Sequence, residues 1–224
     1  MNLRLAELKK GIIEAGKRSY ARGYVASNDG NLSARAGGNR VLITPTRISK
    51  GFMKPSDLVL VDSSGTSLHG SKKPTSEILL HLAIYRERPD AGAVCHLHPP
   101  YATAFAVDRL PLDEAFLSEA VLSLGKIPVA EYGTPGTEEC SAAVLPLIRA
   151  HDACLLANHG VVTVGADPLD AYNKMETVEH YAMILSIAKQ IGTPRALNSE
   201  EIRKLIALRE NFGIRSSVGT NHER

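Results

Sequence analysis

Two hydrophobic rhythms run through the chain. Between residues 3 and 22, Leu5, Leu8, Ile12 and Ala15 recur every three or four positions with Lys and Arg between them. That spacing predicts an amphipathic helix, and Gly23 is placed to end it. Short apolar runs follow, and Val41–Thr44, Leu58–Asp62, Gly92–His98, Ala153–Ala157 and Val161–Val164 read as strands. Helical spacing returns over Ile78–Arg86, around Tyr101–Val107, and from Thr137 to about Ala150, where Pro146 disturbs it. Asp167-Pro168 is a strong start for a further helix ending near Gly192, and Asn198 or Ser199 caps a last one to about Arg209. Residues 111–136 are broken up by Pro111, Gly125, Pro128, Gly133, Pro135 and Gly136 and read as less regular. Hairpin-like strand pairs among these helices predict an α/β fold of three layers, a mostly antiparallel central sheet with helices on both faces. One domain over residues 1–215 is expected, with residues 216–224 as a flexible tail.

The run Gly92–Pro99 carries the first chemistry. Side chains two apart on a strand share a face, so His96 and His98 project together and Cys95 and Leu97 point the other way. Two imidazoles side by side against Pro99-Pro100 suit a divalent metal, although His-x-His alone also fits packed core histidines. His159 sits in Asn158-His159-Gly160, at a turn between two apolar strands, where the glycine suggests a backbone shaped to present the ring. Glu77 follows Pro74-Thr75-Ser76 at a helix start, where an acid suits the helix dipole and a hydroxyl residue suits the cap. The N–H groups of that turn, with Thr75 and Ser76, also suit a phosphate. His81 lies four residues on, on the same helix face, and reads as a packed residue rather than a supporting one. Ser27–Arg35 reads as a tight turn into a strand or as a backbone nest for an anion. Pro45–Gly51, with Arg47 and Lys50, reads alone as an ordinary solvated connection.

Composition removes several function classes. The net charge of +2, with both signs interspersed, offers no electrostatic case for nucleic acid. No apolar run approaches the roughly 20 residues of a membrane helix. The first residues lack a signal-peptide apolar region, and Cys95, Cys140 and Cys154 are too few and too scattered for a disulfide framework or a thiolate site. Reduced, buried thiols in a cytoplasmic protein are the expectation. Tryptophan is absent and only four phenylalanines are present, so aliphatic side chains must build the core.

Taken in order, Gly30-Asn31-x-Ser33, Pro74-Thr75-Ser76-Glu77, His96-x-His98 and Asn158-His159-Gly160 resemble the class II aldolase and adducin family, over roughly residues 5–215. The resemblance implies that His96, His98 and His159 bind Zn2+, with Co2+ and Mn2+ as alternatives that imidazole also suits. It implies that Glu77 is a fourth ligand at rest and the base during turnover, and that Gly30, Asn31, Thr46, Thr75 and Ser76 form a phosphate pocket. The activity it implies is aldol cleavage of a phosphorylated ketose through a zinc-stabilised enediolate, in a homotetramer with active sites at subunit boundaries. Decarboxylation or epimerisation of a phosphorylated sugar or keto acid at the same metal site is the alternative, and a metal-free scaffold, as in the adducin branch, is the third. Two departures bear on the substrate. Arg47 stands where the family's aldolases often have glycine, and it could offer a guanidinium to a phosphate or carboxylate. The family's two tyrosines fall near Leu117 and at Phe212, which leaves Glu119 as the nearest candidate acid.

Overall fold

The structure, a computed structural model, describes residues 3–208. The end of the last helix at Arg209, Phe212 and the tail lie outside the described residues. The elements run α1 (Leu3–Ala21), β1 (Asn31–Gly37), β2 (Arg40–Ile43), β3 (Val59–Asp62), β4 (Ser67–His69), α2 (Ile78–Glu87), β5 (Ala93–Leu97) and α3 (Pro100–Val107). They continue with α4 (Ser118–Ser123), β6 (Val129–Ala130), α5 (Glu138–Ile148), β7 (Ala153–Leu156), β8 (Gly160–Gly165), α6 (Pro168–Ile191) and α7 (Ser199–Leu208).

The strands form one eight-stranded sheet in the order β4-β3-β2-β1-β5-β8-β7-β6. Every pairing is antiparallel except β6 with β7. The α/β expectation, a mostly antiparallel sheet between helical layers, is thus met. The pleat of β5 divides the core as period two requires. Ala93, Cys95 and Leu97 join Ile12, Phe105, Tyr172 and Met175 beneath α1, α3 and α6. Val94 joins Ile84, Val144 and Ile148 beneath α2 and α5. His96 therefore faces the α2 side.

Local signals hold at several ends. Gly23 takes φ +71 just past α1. The Asp167 carboxylate accepts from the N–H groups of Leu169 and Asp170, and Asn198, rather than Ser199, caps α7 by accepting from Glu200 and Glu201. Three elements were not read from the sequence: β4, β6 and α4, all of six residues or fewer. Pro146 does not end α5, which runs on to Ile148. The three cysteines are free and buried, and no helix among the described residues is long and apolar enough to cross a membrane.

The sheet is braced at the end away from the histidines. Buried Asp152, just before β7, accepts from Arg88 at 2.8 Å and from Lys174 at 2.7 Å, which ties the end of α2 to β7 and α6. Removing one member of such a group leaves uncompensated buried charge. Asp152→Ala is expected to cost ~3–5 kcal/mol, a fall in Tm on the order of 10 °C by calorimetry, without changing metal content.

Candidate metal centre

Four groups converge where β5 leaves the sheet. His96 lies on β5 and His98 one residue past its end, while His159 sits in the β7–β8 turn. In the antiparallel register Asn31 of β1 lies opposite His96 on one side and Val162 of β8 lies opposite it on the other. The turn bearing His159 is compact. Asn158 takes φ +56, and a Cβ on Gly160 would come within 2.6 Å of the His98 ring and of the Leu97 carbonyl. Only glycine lets β8 approach the His98 ring so closely. Glu77 enters from α2, whose N-cap it occupies.

The ring nitrogens are aimed inward. His96 Nδ1 lies 2.9 Å from the Val161 carbonyl, which only accepts, so Nδ1 carries the proton and Nε2 is left free. Nε2 of His96 lies 3.3 Å from Nε2 of His98, and the donor atoms of His96, His98 and His159 all fall within 4.8 Å of one another. Glu77 lies 3.3 Å from His96 through Oε2 and 3.3 Å from His159 through Oε1. Bonds of about 2.0–2.1 Å to a tetrahedral ion place its donors roughly 3.4 Å apart, so these spacings fit one ion. Behind His98, the Asp29 carboxylate stands 3.7 Å from Nδ1.

The electrostatics agree. Burial, and then repulsion from His96, holds His98 and His159 down to about 4, so both are neutral with lone pairs available. Burial pushes the Glu77 carboxyl up, but the His96 and His159 rings and the Asn31 amide outweigh it and hold it well below the usual carboxylate range. Burial lowers His96, while Glu77 and the Val161 carbonyl raise it by more. Glu77 Oε1 is buried with no hydrogen-bond partner. Lone pairs facing one another across gaps of this size are stabilised by a shared cation, so the residues fit a divalent ion.

The loops expected to hold a phosphate are stitched together beside this cluster. Pro45 and Pro74 form an antiparallel bridge, Thr46 N–H donates to Lys73, and Thr75 N–H donates to Thr44. Thr46, Arg47, Thr75 and Ser76 thus lie on adjacent loops, with Arg47 and Ser76 exposed. Gly30 takes φ +71 where a Cβ would press on Val25, Leu97 and the His96 carbonyl. Two expectations are corrected. No hydroxyl residue caps α2; Thr75 Oγ1 accepts from Glu77 N–H at 3.3 Å in the turn before the helix. The side-chain amide of Asn31 is held by Glu77 and His81. Lys50 is not solvated: its buried ammonium donates to the carbonyls of Asn28 and Ile48, joining the 28–31 turn to the 45–50 loop. Burial lowers this lysine to about 8. Glu119 is exposed in the first turn of α4, which packs on α6 and α7.

This fold is shared with known proteins. The chain belongs to the class II aldolase and adducin family: the family model described as Class II Aldolase and Adducin N-terminal domain matches residues 10–186. A 3-oxo-tetronate 4-phosphate decarboxylase of Haemophilus influenzae is 38% identical over 201 residues, 88% of this chain and 95% of that protein. A 5-methylthioribulose-1-phosphate/5-deoxyribulose-1-phosphate aldolase of Rhodospirillum rubrum is 34% identical over 206 residues, covering 92% of each. The solved structure of an L-fuculose 1-phosphate aldolase superposes with TM-score 0.84 at 34% identity, covering 92% of this chain and 96% of that one.

Proposed function

We propose that the chain is a divalent-metal-dependent lyase that cleaves a carbon–carbon bond of a phosphorylated ketose, with zinc as the working ion. The observation that carries this reading is the ionised Glu77 carboxylate, seated between His96 and His159 with Oε1 unpartnered. His96, His98 and His159 would hold the ion, which supplies Lewis acidity toward the negative charge that develops on substrate oxygens. Glu77 would accept the proton released as the bond breaks and return one to the ketose-derived fragment. Thr75, Ser76 and the backbone at Gly30 would seat the phosphate, with Thr46 beside them, while Lys50 fixes the loops that carry them. Glu119 is the candidate acid toward the leaving aldehyde, carried to the histidines by a neighbouring copy in a homotetramer. A cytoplasmic location suits the reduced cysteines.

Decarboxylation of a phosphorylated keto acid at the same site is the second reading. Arg47 favours it, as does the Haemophilus influenzae relative. Arg47 holds φ +59, a left-handed conformation that costs an ordinary residue about 1 kcal/mol and that glycine takes freely. A guanidinium kept at that cost beside the hydroxyl loops suits a carboxylate. Arg47→Gly is expected to stabilise the fold by roughly 0.5–1 kcal/mol while raising KM for an acidic substrate. Denaturant titration and steady-state kinetics on the same samples check both parts, and an unchanged KM would remove Arg47 from the site.

The deciding assay offers the protein L-fuculose 1-phosphate and 3-oxo-tetronate 4-phosphate, and measures dihydroxyacetone phosphate and carbon dioxide. Triose phosphate released from L-fuculose 1-phosphate without carbon dioxide supports aldol cleavage; carbon dioxide released together with triose phosphate from 3-oxo-tetronate 4-phosphate, which leaves that same triose phosphate on losing its carboxyl carbon, moves the assignment to decarboxylation. Neither product from these or other phosphorylated ketoses and keto acids would count against both readings.

A further inference from the structure

Five buried polar side chains form a continuous line that ends on Glu77. Glu77, His81 and Tyr85 recur at every fourth position and share one face of α2. Asn31 and Ser33 are two apart on β1 and share one face of the sheet. The two stripes meet. Tyr85 Oη lies 2.9 Å from Ser33 Oγ, and Ser33 Oγ lies 2.6 Å from His81 Nδ1. His81 Nε2 bonds Asn31 Oδ1, and Asn31 Nδ2 donates to Glu77 Oε2 at 2.6 Å. His81 is wholly enclosed, and Asn31, Ser33, Tyr85 and Glu77 are buried.

The direction of every bond follows from the acid at the end. An ionised carboxylate only accepts, so the Asn31 amide must turn its NH2 toward Glu77 and its oxygen toward His81. That oxygen also only accepts, so His81 must carry its proton on Nε2. Burial, and then the neighbouring His96, hold the His81 ring neutral, down to about 3, so Nδ1 is a bare acceptor for the Ser33 hydroxyl. The Ser33 oxygen then accepts from the Tyr85 hydroxyl. No member is left with a choice.

We infer that His81 is a positioning residue: its fixed Nε2–H tautomer, set by Ser33 and Tyr85, locks the Asn31 amide and thereby holds Glu77 Oε2 as an acceptor, leaving Oε1 turned toward His159 and the reacting groups. The inference rests on the proposed role of Glu77 for its catalytic consequence, but the tautomer itself does not depend on that role. The line explains why a polar asparagine and histidine are buried together behind the metal cluster, where an apolar pair would otherwise pack. Supporting groups of this kind, once removed, typically cost ten- to a hundredfold in activity.

Neutron diffraction from deuterium-exchanged crystals of the wild-type protein reads the tautomer directly. The expected map has deuterium on His81 Nε2, none on Nδ1, and the Asn31 ND2 group facing Glu77. Deuterium on Nδ1, on both nitrogens, or a reversed amide would overturn the inference, whatever reaction the protein catalyses. In solution, His81→Phe keeps the ring volume and removes both bonds. It is expected to retain wild-type zinc per chain and KM within about threefold, while kcat falls roughly ten- to a hundredfold for the phosphorylated substrate that the wild type turns over. A kcat within twofold of wild type, or loss of zinc in proportion to activity, would also overturn it. If His81→Phe fails to fold, the neutron map on the wild type still decides.

Discussion

Glu77→Gln lowers kcat by roughly two to four orders of magnitude and leaves most of the bound metal in place. The side chains are nearly equal in size, and three imidazoles remain to hold the ion, so the loss falls on proton transfer. The neutral amide cannot take up the proton that the carboxylate accepts. It also disturbs its neighbours: Asn31 donates to Glu77 Oε2, and an amide NH2 at that position would meet another donor. Steady-state kinetics with metal analysis on the same preparation separate the two effects. Turnover near the wild-type rate would reduce Glu77 to a helix-end acid.

His96→Ala removes both metal and activity. His96 is the most enclosed of the three histidines, its Nδ1 is anchored on the Val161 carbonyl, and its Nε2 faces both His98 and Glu77. Without it His98 and His159 remain as ligands from two separate loops, one ligand short of a three-histidine set. The buried Glu77 carboxylate also loses the ring 3.3 Å from its Oε2, so the variant is expected to be less stable, by about 1–3 kcal/mol. Protons compete with the ion for the same nitrogens, and because burial and His96 hold His98 and His159 down to about 4, acidification through about pH 4 is expected to release metal from the wild type. Mass spectrometry of dialysed protein measures both effects. A full complement of metal in His96→Ala would move the centre elsewhere.

Much of this centre was legible in the sequence because strand geometry is strict. Period two alone placed His96 and His98 on one face, whereas the glycine beside His159, which suggests a backbone shaped to present that ring, also makes room for the His98 ring, a contact the sequence does not show. Glu77 could be placed at a helix start but not recognised by capping rules, because it turns its carboxylate away from the helix toward the histidines. The partners of Glu77 were less legible. Glu77, His81 and Tyr85 are visibly one helical stripe, and Asn31 and Ser33 one strand stripe, yet only the packing of α2 on β1 makes them meet. Lys50 reads as solvated in the sequence because its burial depends on a carbonyl of Asn28, twenty-two residues away, that its ammonium meets only in the fold. The short strands β4 and β6 lie at the two edges of the sheet, with three and two residues respectively, too few to show a period.

The central claim is that one ion among His96, His98 and His159 makes this chain a lyase. Titrating chelated, metal-free protein with zinc while following cleavage of a phosphorylated ketose tests it most directly. The account predicts no turnover at the start, a linear rise, and a plateau at one ion per chain. Full turnover in the metal-free protein, or zinc uptake that restores none, would contradict it.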